Sequence, residues 1–288
     1  LGGVLNATAT GGWGIYLAGS GTATNDGTIN ADVGIAIGGN GAHSATNTGT
    51  INGATGGVSG LGGSPLTFVN SGTVAVTTGY GVQYATGGSV ANSGTIAGGT
   101  AGYGVWANGP TLITNQAGGT IAGGLGAIFL NGTAAMTVNL DTGSVTSGLI
   151  AASGTGDRTI NINGTFNGNY AGGSGVDTVT LATGSAFAGA LDGGAGIDTL
   201  ALVGAGTATL GPVTNFENAS LSGGGTWTLG GANDVAAWTV NAGTLVTGGL
   251  IANGASVDLG ASGTLRLTAT ETMGIVRSEE HTSELQSH

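Results

Sequence analysis

Apolar residues along this chain come in short alternating runs broken by glycine and hydroxyl residues, and the runs recur in one fixed order. One run follows a recurring asparagine: Asn25-Asp26-Gly27-Thr28-Ile29, Asn47-Thr48-Gly49-Thr50-Ile51, Asn70-Ser71-Gly72-Thr73-Val74 and Asn92-Ser93-Gly94-Thr95-Ile96. Looser copies start at Asn115, Asn139 and Asn163. A second run opens on glycine, as Gly14-Ile15-Tyr16-Leu17, Gly34-Ile35-Ala36-Ile37, Gly81-Val82-Gln83-Tyr84 and Gly104-Val105-Trp106. A third leads into the asparagine, as Leu66-Thr67-Phe68-Val69 and Leu112-Ile113-Thr114. The glycines at 27, 49, 72, 94, 119, 143 and 164 lie 21 to 25 residues apart. That period belongs to a solenoid of stacked units. Period-2 runs between glycine corners predict strands, and repeated glycine weakens any helix by about 0.5 to 1 kcal/mol per residue. The chain is therefore expected to be all-β, a right-handed parallel β-helix with about three short strands per coil of 20–25 residues.

In such a coil equivalent residues fall above one another. Ile29, Ile51, Val74, Ile96, Ile121 and Val145 are the expected interior column of β-branched side chains. The recurring asparagines either stack as an amide ladder or sit beside glycine because both tolerate turn dihedrals. If Val82, Val105 and Ile128 point inward, alternation turns Gln83, Trp106 and Phe129 outward, the last two on adjacent turns.

Near residue 170 the wording changes while the period continues. Gly172-Gly173-Ser174-Gly175-Val176-Asp177-Thr178-Val179 and Gly193-Gly194-Ala195-Gly196-Ile197-Asp198-Thr199-Leu200 are 21 residues apart, followed by Asn215-Phe216-Glu217-Asn218, Gly225-Thr226-Trp227-Thr228-Leu229 and Ala242-Gly243-Thr244-Leu245. No polar or proline-rich linker intervenes, so 1–276 is read as one solenoid in two dialects, 1–169 and 170–276. Pro65, Pro110 and Pro212 each precede a β-prone run, where a missing amide proton does little harm. Residues 277–288 differ: they contain no glycine and two of the three histidines. The segment looks like translated sequencing adapter, a non-native tail expected to stay unpaired. The start at Leu1, without a signal-peptide pattern, looks cut. A solenoid cut at both ends would expose strand edges and self-associate.

The 288 residues include 65 glycines, no cysteine, three Lys+Arg and 14 acids, for a net charge of −11. A basic surface for nucleic acid or anionic lipid is absent, and no apolar run reaches the length that spans a bilayer. Disulfides and thiolate metal sites are excluded. Lack of cysteine suits passage through an oxidising periplasm.

The Gly-Gly-x-Gly-x-Asp-Thr-Leu units, the Asn-Phe-Glu-Asn segment, Gly225-Thr226-Trp227-Thr228-Leu229 and Ala242-Gly243-Thr244-Leu245 resemble the C-terminal part of autotransporter passenger domains. The Asn-x-Gly-Thr-Ile units upstream look like passenger repeats of the same type V secretion family. The resemblance spans essentially residues 1 to 276. It implies a β-helix exported through an outer-membrane barrel, which this chain lacks, and displayed on or released from a Gram-negative cell, with functions in the family from adhesion to proteolysis and lipid hydrolysis.

Candidate chemistry is sparse. His43, in the polar corner Gly39-Asn40-Gly41-Ala42-His43-Ser44, is the sole histidine before the tail and the only base for a serine nucleophile, but no nucleophile motif accompanies it; a solvated loop histidine is expected. Asp26 with Asp32, and Asp192 with Asp198, are the pairs a glycosidase would need; corner acids more commonly close turns. Residues 172–180 and 193–201 match the calcium-binding nonapeptide of repeat-in-toxin β-rolls, with Asp177 and Asp198 as cation ligands, yet each copy lacks the tandem neighbours such sites require. Trp106 and Phe129, if exposed on a rigid face, suit a glycan or a protein; the alternative is that they cover a corner or each other. The expectation is thus a structural or adhesive passenger segment without enzyme activity, catalytic residue, cofactor or metal. Its partners would be a host or bacterial surface ligand or another copy of itself, with a calcium β-roll and a polysaccharide-active enzyme as the alternatives.

Overall fold

The computed structural model describes residues 3–278 apart from Thr8, Ser64, Gly249 and Glu271. The described residues form strands and turns without a helix, wound as a parallel β-solenoid of about 12 turns. Among them no helix is long and apolar enough to cross a membrane.

Each turn visits three faces. The first face holds strands such as Gly21–Asn25, His43–Asn47, Leu66–Asn70, Gly88–Asn92 and Thr111–Asn115, paired in parallel with asparagine on asparagine. The chain then turns a corner at Asn-x-Gly and enters the second face, through Thr73–Val76, Thr95–Ala97 and Thr120–Ala122. A second corner leads to the third face, with Trp13–Leu17, Tyr80–Tyr84, Tyr103–Asn108 and Gly126–Asn131. Thr28–Ile37 and Thr50–Gly60 run through that corner as single bent strands, with a register irregularity between Ala31 and Val33.

Glycine at the first corner is a steric requirement. A Cβ on Gly49 would lie 2.0 Å from the Gly27 carbonyl oxygen, and one on Gly72 or Gly94 would lie 2.1 Å from the carbonyl of the glycine one turn earlier. The four glycines therefore stack, and Thr50, Thr73 and Thr95 donate their N–H groups to Gly27, Gly49 and Gly72 at 2.8 Å.

Inside, apolar columns run up each face. The second-face column reads Ile29, Ile51, Val74, Ile96, Ile121, Thr146, Phe166 and Phe187. Val145, expected in this column, is half-buried; the register places it on Thr120, and Thr146 takes the interior place with no exposed surface. Strand side chains alternate faces, so a slip of one residue exchanges them. The same slip puts Ser144, not Gly143, above Gly119, since Val145 and Thr165 donate to the carbonyls of Gly119 and Ser144.

The solenoid passes through residue 170 without a break, since Arg158–Ile162 pairs with Asp177–Ala182 and the latter with Thr199–Val203. At the far end Val276–Ser278 pairs with Ser256–Arg266, and Arg277 lies 3.6 Å from Asp258. The first two residues of the segment read as an unpaired tail thus continue the first face: Arg277 meets a carboxylate and Ser278 a strand edge. Residues 279–288 lie outside the described residues.

Candidate functional site

Three side-chain arrays stand out along the solenoid axis: an amide ladder, a carboxylate column and an aromatic strip.

The amide ladder lies inside the first corner. Asn25 Nδ2 donates to Asn47 Oδ1 at 2.7 Å, Asn47 to Asn70 and Asn70 to Asn92 at 2.8 Å, and Asn92 to Asn115 at 2.9 Å. Each of these four Nδ2 atoms also donates to a threonine carbonyl of the next turn, at 3.1 to 3.2 Å. The last four asparagines have no exposed surface. Buried amides hold their place only when both ends are bonded. The ladder stops at Asn115, whose Nδ2 reaches Thr146 Oγ1 and the Val145 carbonyl. Asn139 and Asn163, counted as repeats, are not members: Leu140 and Ile162 occupy the ladder position. Asn139 instead faces outward and accepts from Asn161 at 2.8 Å.

At the opposite end of the first-face strands a column reads His43, Leu66, Gly88, Thr111, Met136 and Arg158, and the register continues it through Asp177, Asp198 and Glu217. His43 is therefore not a solvated loop residue. It opens the His43–Asn47 strand and is 5% exposed, and neither ring nitrogen has a hydrogen-bond partner among the described residues.

Further up this column each acid caps the backbone of the turn before it. Arg158 N–H donates to Asp177 Oδ1 at 3.0 Å, Asp177 N–H to Asp198 Oδ1 at 2.6 Å, and Asp198 N–H to Glu217 Oε2 at 2.6 Å. Asp177 Oδ2 accepts from the Tyr170 hydroxyl at 2.7 Å and the Gly173 N–H at 3.3 Å. The buried Arg158 guanidinium donates to the carbonyls of Ala134, Asp157, Gly132 and Ser153.

Burial raises the carboxyl pKa of Asp177 despite the donors around it. Burial likewise pushes Asp198 up to about 6; the Asp177 N–H opposes this, and the charges of Asp177, Glu217 and Asp192 reinforce it. The Tyr170 hydroxyl is pushed up by burial and by Asp177, and burial lowers the Arg158 guanidinium. The Gly-Gly-x-Gly lead-in makes room for this arrangement: a Cβ on Gly172 would lie 2.6 Å from Asp177 Oδ2, and Gly194 and Gly196 have φ of +92° and +147°.

These geometries bear on the candidate acids. Both oxygens of Asp177 are taken by N–H and O–H donors, and Asp177 and Asp198 have no exposed surface to offer a substrate. Asp192 Oδ1 accepts from Gly194 N–H and Asn215 Nδ2, closing a corner. Asp26 and Asp32 line different grooves, and Asp32 accepts from Gly11 N–H and Thr55 Oγ1. Among the described residues no group of three or more His, Asp or Glu is placed to hold a metal ion.

The aromatic strip is on the outside of the third face. Trp106 sits on Gln83 and Phe129 on Trp106, with Val82, Val105 and Ile128 fully buried beneath. Their stacking partners belong to none of the repeated runs. Tyr80 stacks on Trp106 and Tyr103 on Phe129, each with ring centroids 5.1 Å apart and planes within 25°. Trp13 and Tyr16, both nearly half exposed, stack at 4.3 Å on the first turn. The outward columns carrying these rings, Trp13 to Gly126 and Tyr16 to Ala151, contain no charged side chain. Rings with one face packed and an edge free suit the apolar faces of sugars or a flat protein surface.

No model of a known protein family matches the chain, and neither does any curated protein or solved structure.

Proposed function

We propose that the chain is a structural and adhesive segment of a secreted autotransporter passenger, displayed on a Gram-negative cell surface and without enzymatic activity. The observation that carries this reading is a parallel solenoid of about 12 turns bearing an uncharged strip of stacked aromatic rings on one face. A rigid rod holds such a strip away from the membrane, and stacking fixes the rings beforehand, which lowers the entropy lost on binding. The expected partners are a glycan or protein on a host or bacterial surface, or a second copy of the chain. The net charge of −11 argues against nucleic acid, and insertion into the membrane is left to a barrel outside this chain.

The test places the chain upstream of an outer-membrane barrel in a Gram-negative host and measures surface labelling and adherence to glycan-coated and cell surfaces. Labelled cells should adhere above barrel-only cells, and the Trp106→Ala, Phe129→Ala double variant should be labelled equally but adhere several-fold less. Surface labelling with adherence equal to barrel-only cells would overturn the adhesive reading. Failure of the chain to leave the cell would overturn the passenger reading.

A further inference from the structure

The second face has one interruption. Ala186–Phe187 pairs with Thr165–Asn167 on the turn before, and Thr207–Leu210 pairs with Thr226–Leu229 on the turn after. Those two strands lie on consecutive turns, yet no pairing joins them. A cleft of about 370 Å³ with a mixed polar and apolar lining opens between them. One end is closed where Gly206 N–H donates to Thr183 Oγ1 at 3.1 Å. Past the other end pairing resumes on the third face, where Leu191 N–H meets the Pro212 carbonyl at 2.9 Å.

The interior column explains the opening. It runs Phe166, Phe187 in one ladder and Ala208, Trp227, Leu245 in the other, so a methyl follows a phenyl ring. Phe166 and Phe187 are stacked at 5.4 Å with planes 13° apart, which leaves the second face of Phe187 toward the cleft. Trp227 is 1% exposed and its ring forms one wall of the cleft, with the indole nitrogen sealed beneath the surface. Thr207 and Thr209 add exposed hydroxyls, and no lining residue is charged.

We propose that this cleft is a binding site for one ring of a neutral saccharide. A pyranose supplies what the lining lacks: an apolar face for Phe187, and hydroxyls for Thr207, Thr209 and the unpaired strand edges. The volume lies near the lower end of ligand pockets, the size of a single ring. The absence of charge excludes phosphate and sugar acids as preferred ligands. The cleft is on a different face from the aromatic strip, so the proposal stands apart from the adhesive reading.

The test titrates the full chain with glucose, galactose, N-acetylglucosamine and glucuronate, following saturation-transfer NMR and tryptophan fluorescence. At least one neutral sugar should bind in the millimolar range, and glucuronate more weakly. Thr209→Val keeps the shape and removes a hydroxyl, and should weaken binding roughly three- to tenfold, the worth of one neutral hydrogen bond. Ala208→Met fills the cleft and should abolish binding with the melting temperature held; if it does not fold, Thr207→Val replaces it, with a several-fold loss expected. The Trp106→Ala, Phe129→Ala variant should bind the free sugar unchanged. No neutral sugar bound at tens of millimolar, binding undiminished in Thr209→Val and in the cleft variant, or equal binding of glucuronate would each overturn the proposal.

Discussion

At the residue scale, energy is concentrated where a buried polar group has both neighbours in place. Asn70 accepts from Asn47 and donates to Asn92, so Asn70→Ala orphans a donor below and an acceptor above. The expected cost is about 1 to 3 kcal/mol per orphaned group. Asn139→Ala, on the outer surface, is expected to stay within about 0.5 kcal/mol. Denaturant titration of both variants separates these cases, and equal losses would mean that the ladder contributes nothing special. Asp198 gives a pH signature. Its folded pKa of about 6 lies above the ordinary value of about 3.9, so the folded state binds the proton more tightly. The stability this contributes is full below about pH 4 and is lost as pH rises through 6. Asp177 acts in the same direction. Melting temperature should therefore fall between pH 4 and pH 7, and Asp198→Asn should flatten that slope. A slope of the opposite sign would refute the assignment.

Among the elements, the glycine corner decides which turns can stack. Gly49→Ala places a methyl 2.0 Å from a carbonyl oxygen of the turn below, and both rungs must shift; a loss above about 2 kcal/mol is expected. Gly184, whose Cβ would meet nothing within 4 Å, should accept alanine with no loss, or a gain of up to about 1 kcal/mol through the unfolded chain. Thermal melts of the pair provide the comparison. The same corner shows how far the sequence could be read. From Asn25 to Asn115 the motif repeats with strand and corner in constant phase, so the ladder, the glycine stack and the column from Ile29 to Ile121 were all legible. In the next unit the interval from Gly119 to Gly143 looks regular, but the inward positions are Leu140, Ser144 and Thr146, each one residue later than the motif suggests. Period fixes spacing and leaves parity open. The carboxylate column was visible only as two matching nonapeptides, because Arg158 belongs to no motif and Glu217, although part of the Asn-Phe-Glu-Asn segment, joins the column only through stacking. Tyr80 and Tyr103 escaped notice because their ring contacts run diagonally between turns.

For the whole molecule, each turn leans only on its neighbours, so stability is a sum of local terms along one axis. The unpaired stretch between Phe187 and Thr207 is the weakest joint on the second face. Native-state hydrogen exchange should show amides at Phe187, Ala188 and Thr207 to Thr209 exchanging well before those of Thr95–Ala97 and Thr120–Ala122, which are paired on both sides. Uniform protection along the second face would count against the joint.

The amide ladder also has a direction. Every link from Asn25 to Asn115 gives its hydrogen toward the later turn, so five side-chain dipoles point the same way and each polarises the next. The chain needs just one terminating acceptor, which Thr146 supplies. Adding or deleting a whole turn between Asn47 and Asn92 brings or removes one donor and one acceptor together and leaves no amide unmatched. Rod length, about 4.8 Å per turn, is therefore a trait that gene duplication can vary freely in this region, with the terminus at Thr146 untouched.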